Sequence, residues 1–131
     1  NIVCRSKKVK GNDLEVLNRF MYHDISILYN FLKNNKLKSL KLNQNTQNKI
    51  IEIKTVFQNK IEILFKYNLN LTKKNHYINS VNFITKNDIL SKMINQILSN
   101  KIDIKINNKK ALFIIKFINI IKKKMEKLTT C

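Results

Sequence analysis

The sequence of 131 residues has no proline or tryptophan, one glycine, one alanine, two arginines, two cysteines and eight acidic residues. A single glycine cannot build a glycine-rich loop that cradles phosphates. Cys4 and Cys131 stand at opposite ends with no third cysteine between them, so a disulfide framework is excluded. One long-loop disulfide stays open, but reduced, inert thiols are the expectation. His23 and His76 are isolated, which leaves no metal-ligand spacing. Long hydrophobic runs are also missing. The most apolar stretch, Ala111 to Ile121, is eleven residues long and broken by Lys116 and Asn119, short of the roughly 20 needed to cross a bilayer. The first twelve residues carry no apolar run, so no secretory signal is predicted. A first residue of Asn instead of Met leaves open whether residues precede it.

What is present is lopsided in two ways. There are 24 Lys, 21 Asn and 21 Ile, residues whose codons are rich in A and T, as an A+T-rich organellar or parasite genome would favour. That bias accounts for lysine in place of arginine. It does not account for the acid deficit, because Asp and Glu codons are also mostly A and T. With 26 basic and eight acidic residues the formal net charge is +18. Such a charge repels itself in a compact chain and is neutralised better by phosphate than by water. The partners implied are nucleic acid or, second, an anionic membrane surface. Hydrophobic residues make up 44% of the chain, too many for a disordered basic tail.

Periodicity divides the chain as follows. Residues 1–12, with Arg5, Lys7, Lys8 and Lys10, read as a basic arm. From Asp13 to Leu32 the spacing of Leu14, Leu17, Met21, Leu28 and Phe31, widened by Ile25 and Leu32, predicts an amphipathic helix. Lys36 to Gln47 fits a short strand or a basic linker, and 43–48 is a candidate break in the fold. Residues 49–71 satisfy two periods: Ile50, Ile53, Phe57, Ile61 and Leu64 lie on one helical face, while Ile61, Ile63, Phe65, Tyr67, Leu69 and Leu71 alternate as in a strand. The longer stripe assigns 47–66 to a helix, against its β-branched content. The segment 72–85 is a loop or a short strand. Thr85 and Asp88 have capping-box-like spacing ahead of Ile89, Met93, Ile94, Ile97 and Leu98, the buried side of a third helix. Ile102, Ile104 and Ile106 then alternate with charges as a strand, Asn107 and Asn108 supply a turn, and Lys109 to Lys127 forms a last helix. Its Ile114, Ile118, Ile121, Met125 and Leu128 lie on one side and Phe113, Phe117 and Ile120 on another, so more than one side needs cover. The expected fold is α+β and mainly helical: about four helices, a short β element near 102–106 and basic extended arms, in a single small domain over 13–131.

The lysines recur along the whole chain instead of forming one block, a distribution suited to phosphate contacts at many points. The positions singled out are Arg5, Lys7, Lys8, Lys10, Lys73, Lys74, Lys92, Lys101, Lys105, Lys109, Lys110, Lys122, Lys123 and Lys124. Most of the aromatics fall on core stripes. Tyr77, beside His76, Lys73 and Lys74, is the one favoured for RNA contact. No Ser, His and Asp set suggests an activated nucleophile. Asp88 reads as a cap and Asp103 as a solvent-facing strand residue, so no enzyme is expected, and no cofactor or small-molecule substrate.

The stretch Met93-Ile94-Asn95-Gln96-Ile97-Leu98-Ser99-Asn100-Lys101-Ile102-Asp103-Ile104-Lys105-Ile106-Asn107-Asn108-Lys109-Lys110 resembles the RNA-binding motif of small-subunit ribosomal protein four. There a helix ends in a basic turn and leads into a strand closing with Val-Asn-Gly-Lys, which Ile106-Asn107-Asn108-Lys109 matches with Asn at the Gly position. The usual His-Gly-His turn is Asn100-Lys101 here, and the family's arginines and Pro-Ser are missing. A rival alignment likens Leu90 to Ile121 to the opening helices of small-subunit ribosomal protein seven. The resemblance implies that Lys92, Lys101, Lys105, Lys109 and Lys110 face ribosomal RNA. The expectation is a non-catalytic structural ribosomal protein in a large assembly, touching ribosomal RNA and neighbouring ribosomal proteins, in the mitochondrion or another organelle with an A+T-rich genome. The alternatives are an accessory subunit of a mitochondrial membrane or respiratory complex, docking through Ala111 to Ile121, and a DNA-binding protein. The scarcity of arginine, the main reader of base edges, counts against the latter.

Overall fold

A computed structural model describes residues 1–8, 13–83, 95, 98–99 and 104–129. Among the described residues the chain runs β1 (Ile2–Ser6), α1 (Asp13–Leu32), β2 (Leu37–Asn45), β3 (Ile50–Phe57), β4 (Glu62–Asn68), β5 (Asn75–Ile78), β6 (Val81–Asn82) and α2 (Ile104–Thr129). The strands form a six-stranded mixed sheet in the order β2-β3-β4-β1-β5-β6. Strands β2, β3 and β4 are an antiparallel meander, and β1 pairs parallel with β4 and antiparallel with β5. The first strand of the chain is therefore central in the sheet.

Alternation along each strand decides which face is buried. The pairs Ile51↔Tyr67, Ile53↔Phe65 and Thr55↔Ile63 put one row of β3 and β4 on the inner face. Val3, opposite Phe65 and Ile78, continues that row into β1 and β5. All of these are buried, most of them completely. Both helices cover this face. α1 contributes Leu17, Met21, Ile25 and Leu32, and α2 contributes Ile114, Phe117, Ile118, Ile121 and Met125. Each large apolar side chain so buried contributes about 1.5–3 kcal/mol. α2 packs along α1 and reaches the edge strand, where the Lys124 ammonium donates to the Leu40 carbonyl of β2. α1 stops at Lys33-Asn34-Asn35: the Asn35 amide N–H donates to the Leu32 carbonyl (2.9 Å) and its side-chain Nδ2 to the Phe31 carbonyl (3.0 Å), which satisfies acceptors left open at a helix end.

The mainly helical expectation is overturned. The segment 47–66, expected as a helix, is strand β3, a turn and most of β4. Ile50, Ile53, Phe57, Ile61 and Leu64 do have helical spacing, but Ile51, Ile53, Thr55 and Phe57 also share one strand face. A central strand hydrogen-bonded on both sides buries that row completely, which an isolated stripe does not reveal. Residues 2–6, expected in a basic arm, are β1, whose alternation is too short to stand out. Lys36–Gln47 is mostly β2, and 43–48 is where β2 ends and turns into β3. The strand expected at Ile102–Ile106 is helix from Ile104 onward, and Asn107 and Asn108 are helical instead of forming a turn. Ile102 and Asp103, and the capping residues Thr85 and Asp88 of the expected third helix, lie outside the described residues. Phe31, Leu98 and Leu128, expected on buried faces, are exposed.

Three turns use left-handed backbone at non-glycine residues, Lys49 (φ 50°), Lys60 (φ 65°) and Asn79 (φ 53°). Asn adopts this conformation readily, whereas Lys does so at a cost of about 1–2 kcal/mol. In the β3–β4 turn, Lys60 N–H donates to the Phe57 carbonyl (3.0 Å), and the Asn59 side chain accepts from Ile61 N–H (3.2 Å). Lys60→Gly relieves the left-handed penalty at the cost of extra unfolded-chain entropy, for a net gain of about 0.5–1 kcal/mol. Urea unfolding checks this, and a lowered midpoint contradicts it.

Candidate nucleic-acid interface

Beneath the helices the inner face holds one polar centre. Asp24 and Tyr67 are completely buried and His76 nearly so. The Tyr67 hydroxyl donates to Asp24 Oδ2 at 2.9 Å. His76 Nε2 lies 2.6 Å from Asp24 Oδ1 but out of line for a hydrogen bond. The Arg5 guanidinium stands 3.9 Å from Oδ1, 3.0 Å from His76 Nδ1 and 3.4 Å from the Phe20 carbonyl, and its carbon lies 4.8 Å from the centre of the Phe20 ring. A guanidinium only donates, so Nδ1 accepts and Nε2 carries the hydrogen toward Asp24.

An aspartate against a histidine resembles a proton relay, but Nδ1 of this ring is taken by a permanent cation and Nε2 faces the buried Asp24. The arrangement holds α1 to β1, β4 and β5, and leaves no ring nitrogen to take a proton from a substrate. Burial pushes the Tyr67 phenol well above its usual 10.0, reinforced by the charge and hydrogen bond of Asp24. His23, on α1 at the edge of the centre, is held below 6.5, first by loss of water and next by the charge of Arg5.

The surface charges are unevenly distributed. On the outer face of the sheet, Lys66 pairs with Glu52, directly opposite it, and Lys54 pairs with Glu62, each at 3.1 Å. Lys41 lies on the same face, opposite Lys54, so three lysines share it with these two glutamates. Ser6 is opposite both Asn68 and Asn75, so the exposed Lys7 and Lys8 meet Lys73 and Lys74 at one end of the sheet. Lys33, Lys36, Lys38 and Lys60 lie at the other, where β2 starts and β3 stops.

The strongest concentration is α2, with eight lysines and one glutamate. Lys105, Lys109, Lys116, Lys123 and Lys127 are spaced 4, 7, 7 and 4 residues apart. At 3.6 residues per turn they fall within roughly 40° of one another, on the side opposite Ile114, Ile118 and Ile121. At 1.5 Å per residue the row extends about 33 Å. All five are exposed, and Lys109, Lys116 and Lys123 have no ion-pair partner among the described residues.

Of the residues singled out from sequence, Lys105, Lys109 and Lys123 are in this row. Lys110 and Lys122 flank it, half-buried, with the Lys110 ammonium 6.0 Å from the centre of the Tyr29 ring. Lys124 is turned to β2. Lys7, Lys8, Lys73 and Lys74 are brought together. Tyr77 is half-buried on the outer face, opposite Cys4. Arg5 points inward, its charge used against Asp24. Lys10, Lys92 and Lys101 lie outside the described residues. Sequence reading missed Lys116 and Lys127 as members of the row, although their spacing from Lys109 and Lys123 carried the signal. It also missed Asp24, an acid set among Leu17, Met21 and Leu28 on the apolar stripe.

No family model matches the chain, and no curated protein or solved structure is detectably similar to it. Among the described residues no group of three or more potential ligands is placed to hold a metal ion, and no helix is long and apolar enough to cross a membrane.

Asp24→Ala leaves Arg5 without its buried partner and destabilises the fold by about 3–5 kcal/mol. Tyr67→Phe removes one hydrogen bond to a charged group, a loss of about 1.5–3 kcal/mol. Chemical denaturation measures both, and equal, sub-kilocalorie effects would refute a central role. His23 binds its proton more weakly folded than unfolded, so its contribution to stability is present above pH 6.5 and is lost as pH falls from 6.5 through the folded value. NMR titration of the His23 ring reads this directly, and His23→Gln flattens the slope.

Proposed function

We propose that this chain is a non-catalytic structural protein that binds structured RNA, with the α2 lysine row laid along the phosphate backbone and the two basic ends of the sheet making further contacts. The observation that carries the reading is the row itself, five lysines on one side of a long helix. It is supported by the contrast with the outer sheet face, where Lys54 and Lys66 are each paired with a glutamate. Mutational drift toward lysine would load every surface alike, whereas here the excess is concentrated. Contacts of this kind position a protein on a nucleic acid and carry little sequence information. The assembly assigned is the ribosome of a mitochondrion or another organelle with an A+T-rich genome, with ribosomal RNA and neighbouring ribosomal proteins as partners. This assignment rests on charge and composition. The motif likeness to small-subunit ribosomal protein four adds nothing, since its closing strand is replaced by helix from Ile104.

The test is binding of the full chain to a structured RNA across a salt series. Replacing Lys109, Lys116 and Lys123 together by Gln weakens binding and lowers the slope of log affinity against log salt by about two to three. Replacing Lys54 and Lys66 by Gln changes it by less than about one, because their charges are already paired. Equal effects of the two sets, or a flat salt dependence of the native chain, would overturn the reading. Co-sedimentation with ribosomal subunits tests the assembly, and retention on membranes after RNase and high salt contradicts it.

A further inference from the structure

Where α1 ends, a groove of about 440 Å³ opens between the Lys33–Leu37 segment and the middle of α2. This is within the range of about 300–1,000 Å³ that small ligands fill. Its floor is a staircase of rings. Phe57 and Phe117 are offset and nearly parallel (12°, 6.0 Å), Phe117 and Phe113 less so (25°, 6.3 Å), and Tyr29 braces Phe113 edge-on at 5.5 Å. Phe57 and Phe117 are buried, whereas Phe113 is half-buried beside the exposed Ile120. The rim carries the exposed Lys33, Lys36 and Lys116, and among the described residues no acid lines it. The negative end of the α1 dipole, about half a charge, is outweighed by these three lysines.

An apolar, ring-floored slot with a purely cationic rim fits a planar aromatic group tied to an anion. Resting on the RNA reading above, we propose that this groove holds one unstacked nucleotide of the bound RNA. The base lies against Phe113 and Ile120, and the phosphates on either side of it sit among Lys33, Lys36 and Lys116. Lys116 also belongs to the α2 row, so the groove opens beside the surface assigned to the backbone. Another hollow among the described residues, about 360 Å³ on the outer sheet face, has Glu52 and Lys66 paired within its lining and offers no comparable excess of charge. Ring-on-base stacking is tolerant of base identity, so the groove selects for an unpaired nucleotide and not for a sequence.

The experiment compares the full chain on two RNA hairpins of equal length, one fully paired and one with a single-nucleotide bulge bearing 5-iodouridine. The bulged hairpin binds about tenfold tighter, and irradiation cross-links the bulged base to Phe113 or its groove neighbours, located by mass spectrometry. Phe113→Leu removes most of the preference and leaves affinity for the paired hairpin unchanged. Ile120→Asn does the same from an exposed position that leaves the core and the charge of the lysine row intact, so a folding defect at Phe113 cannot conceal the result. Equal affinity for the two hairpins, or a cross-link that maps outside the groove, overturns the nucleotide site while the backbone reading stands. Failure to bind either hairpin overturns both.

Discussion

Asp24 is the constraint on which the architecture turns. It sits on the apolar side of α1 with no exposure to water, and an isolated carboxylate there would be prohibitively costly. The fold supplies Arg5 from β1, Tyr67 from β4 and His76 from β5, so one side chain of the helix is tied to three neighbouring strands. Apolar packing is non-directional and lets a helix slide over a sheet, whereas a buried carboxylate held by the Tyr67 hydroxyl and flanked by Arg5 and His76 resists such a slide. The network thereby sets where α1 lies across β1, β4 and β5.

The same requirement sorts the remaining charge. With eight acids for 26 basic residues, few lysines can be paired. Among the described acids, one carboxylate is buried, and Glu52 and Glu62 balance lysines on the outer sheet face. Most of the remaining described lysines lie on α2 and at the ends of the sheet, where water screens them. Their alignment costs the helix little, because solvent-facing positions at 3.6-residue spacing do not compete with the apolar positions that bury Ile114, Ile118 and Ile121. A basic ridge and an apolar seam thus coexist on one helix, and the groove lies where the two meet.

Local periodicity was legible where one element buries one face. The helix over 13–32 stands as read, and the last helix was recognised, although it begins five residues earlier than expected. The meander was not legible. Its isoleucines are so frequent that 47–66 satisfies a helical and a strand period together, and the decision belongs to pairing between β2, β3 and β4. Ile102–Ile106 failed for the opposite reason. Three alternating isoleucines suggest a strand, but no neighbouring strand pairs with Ile104–Ile106 among the described residues, and the backbone completes its hydrogen bonds within α2 instead.

The sequence by itself determined the sign and size of the charge, the want of glycine and cysteine chemistry, the amphipathic character of two helices and most of the lysines of the ridge. These are properties of composition and short-range spacing, which survive in any fold. Only the tertiary structure decided that Arg5 turns inward to a buried carboxylate, that lysines 66 residues apart in sequence meet at one end of the sheet, and that rings from β3 and α2 floor a common groove. Each of those depends on which distant segments become neighbours, and sheet pairing and helix docking settle that through contacts no local window contains.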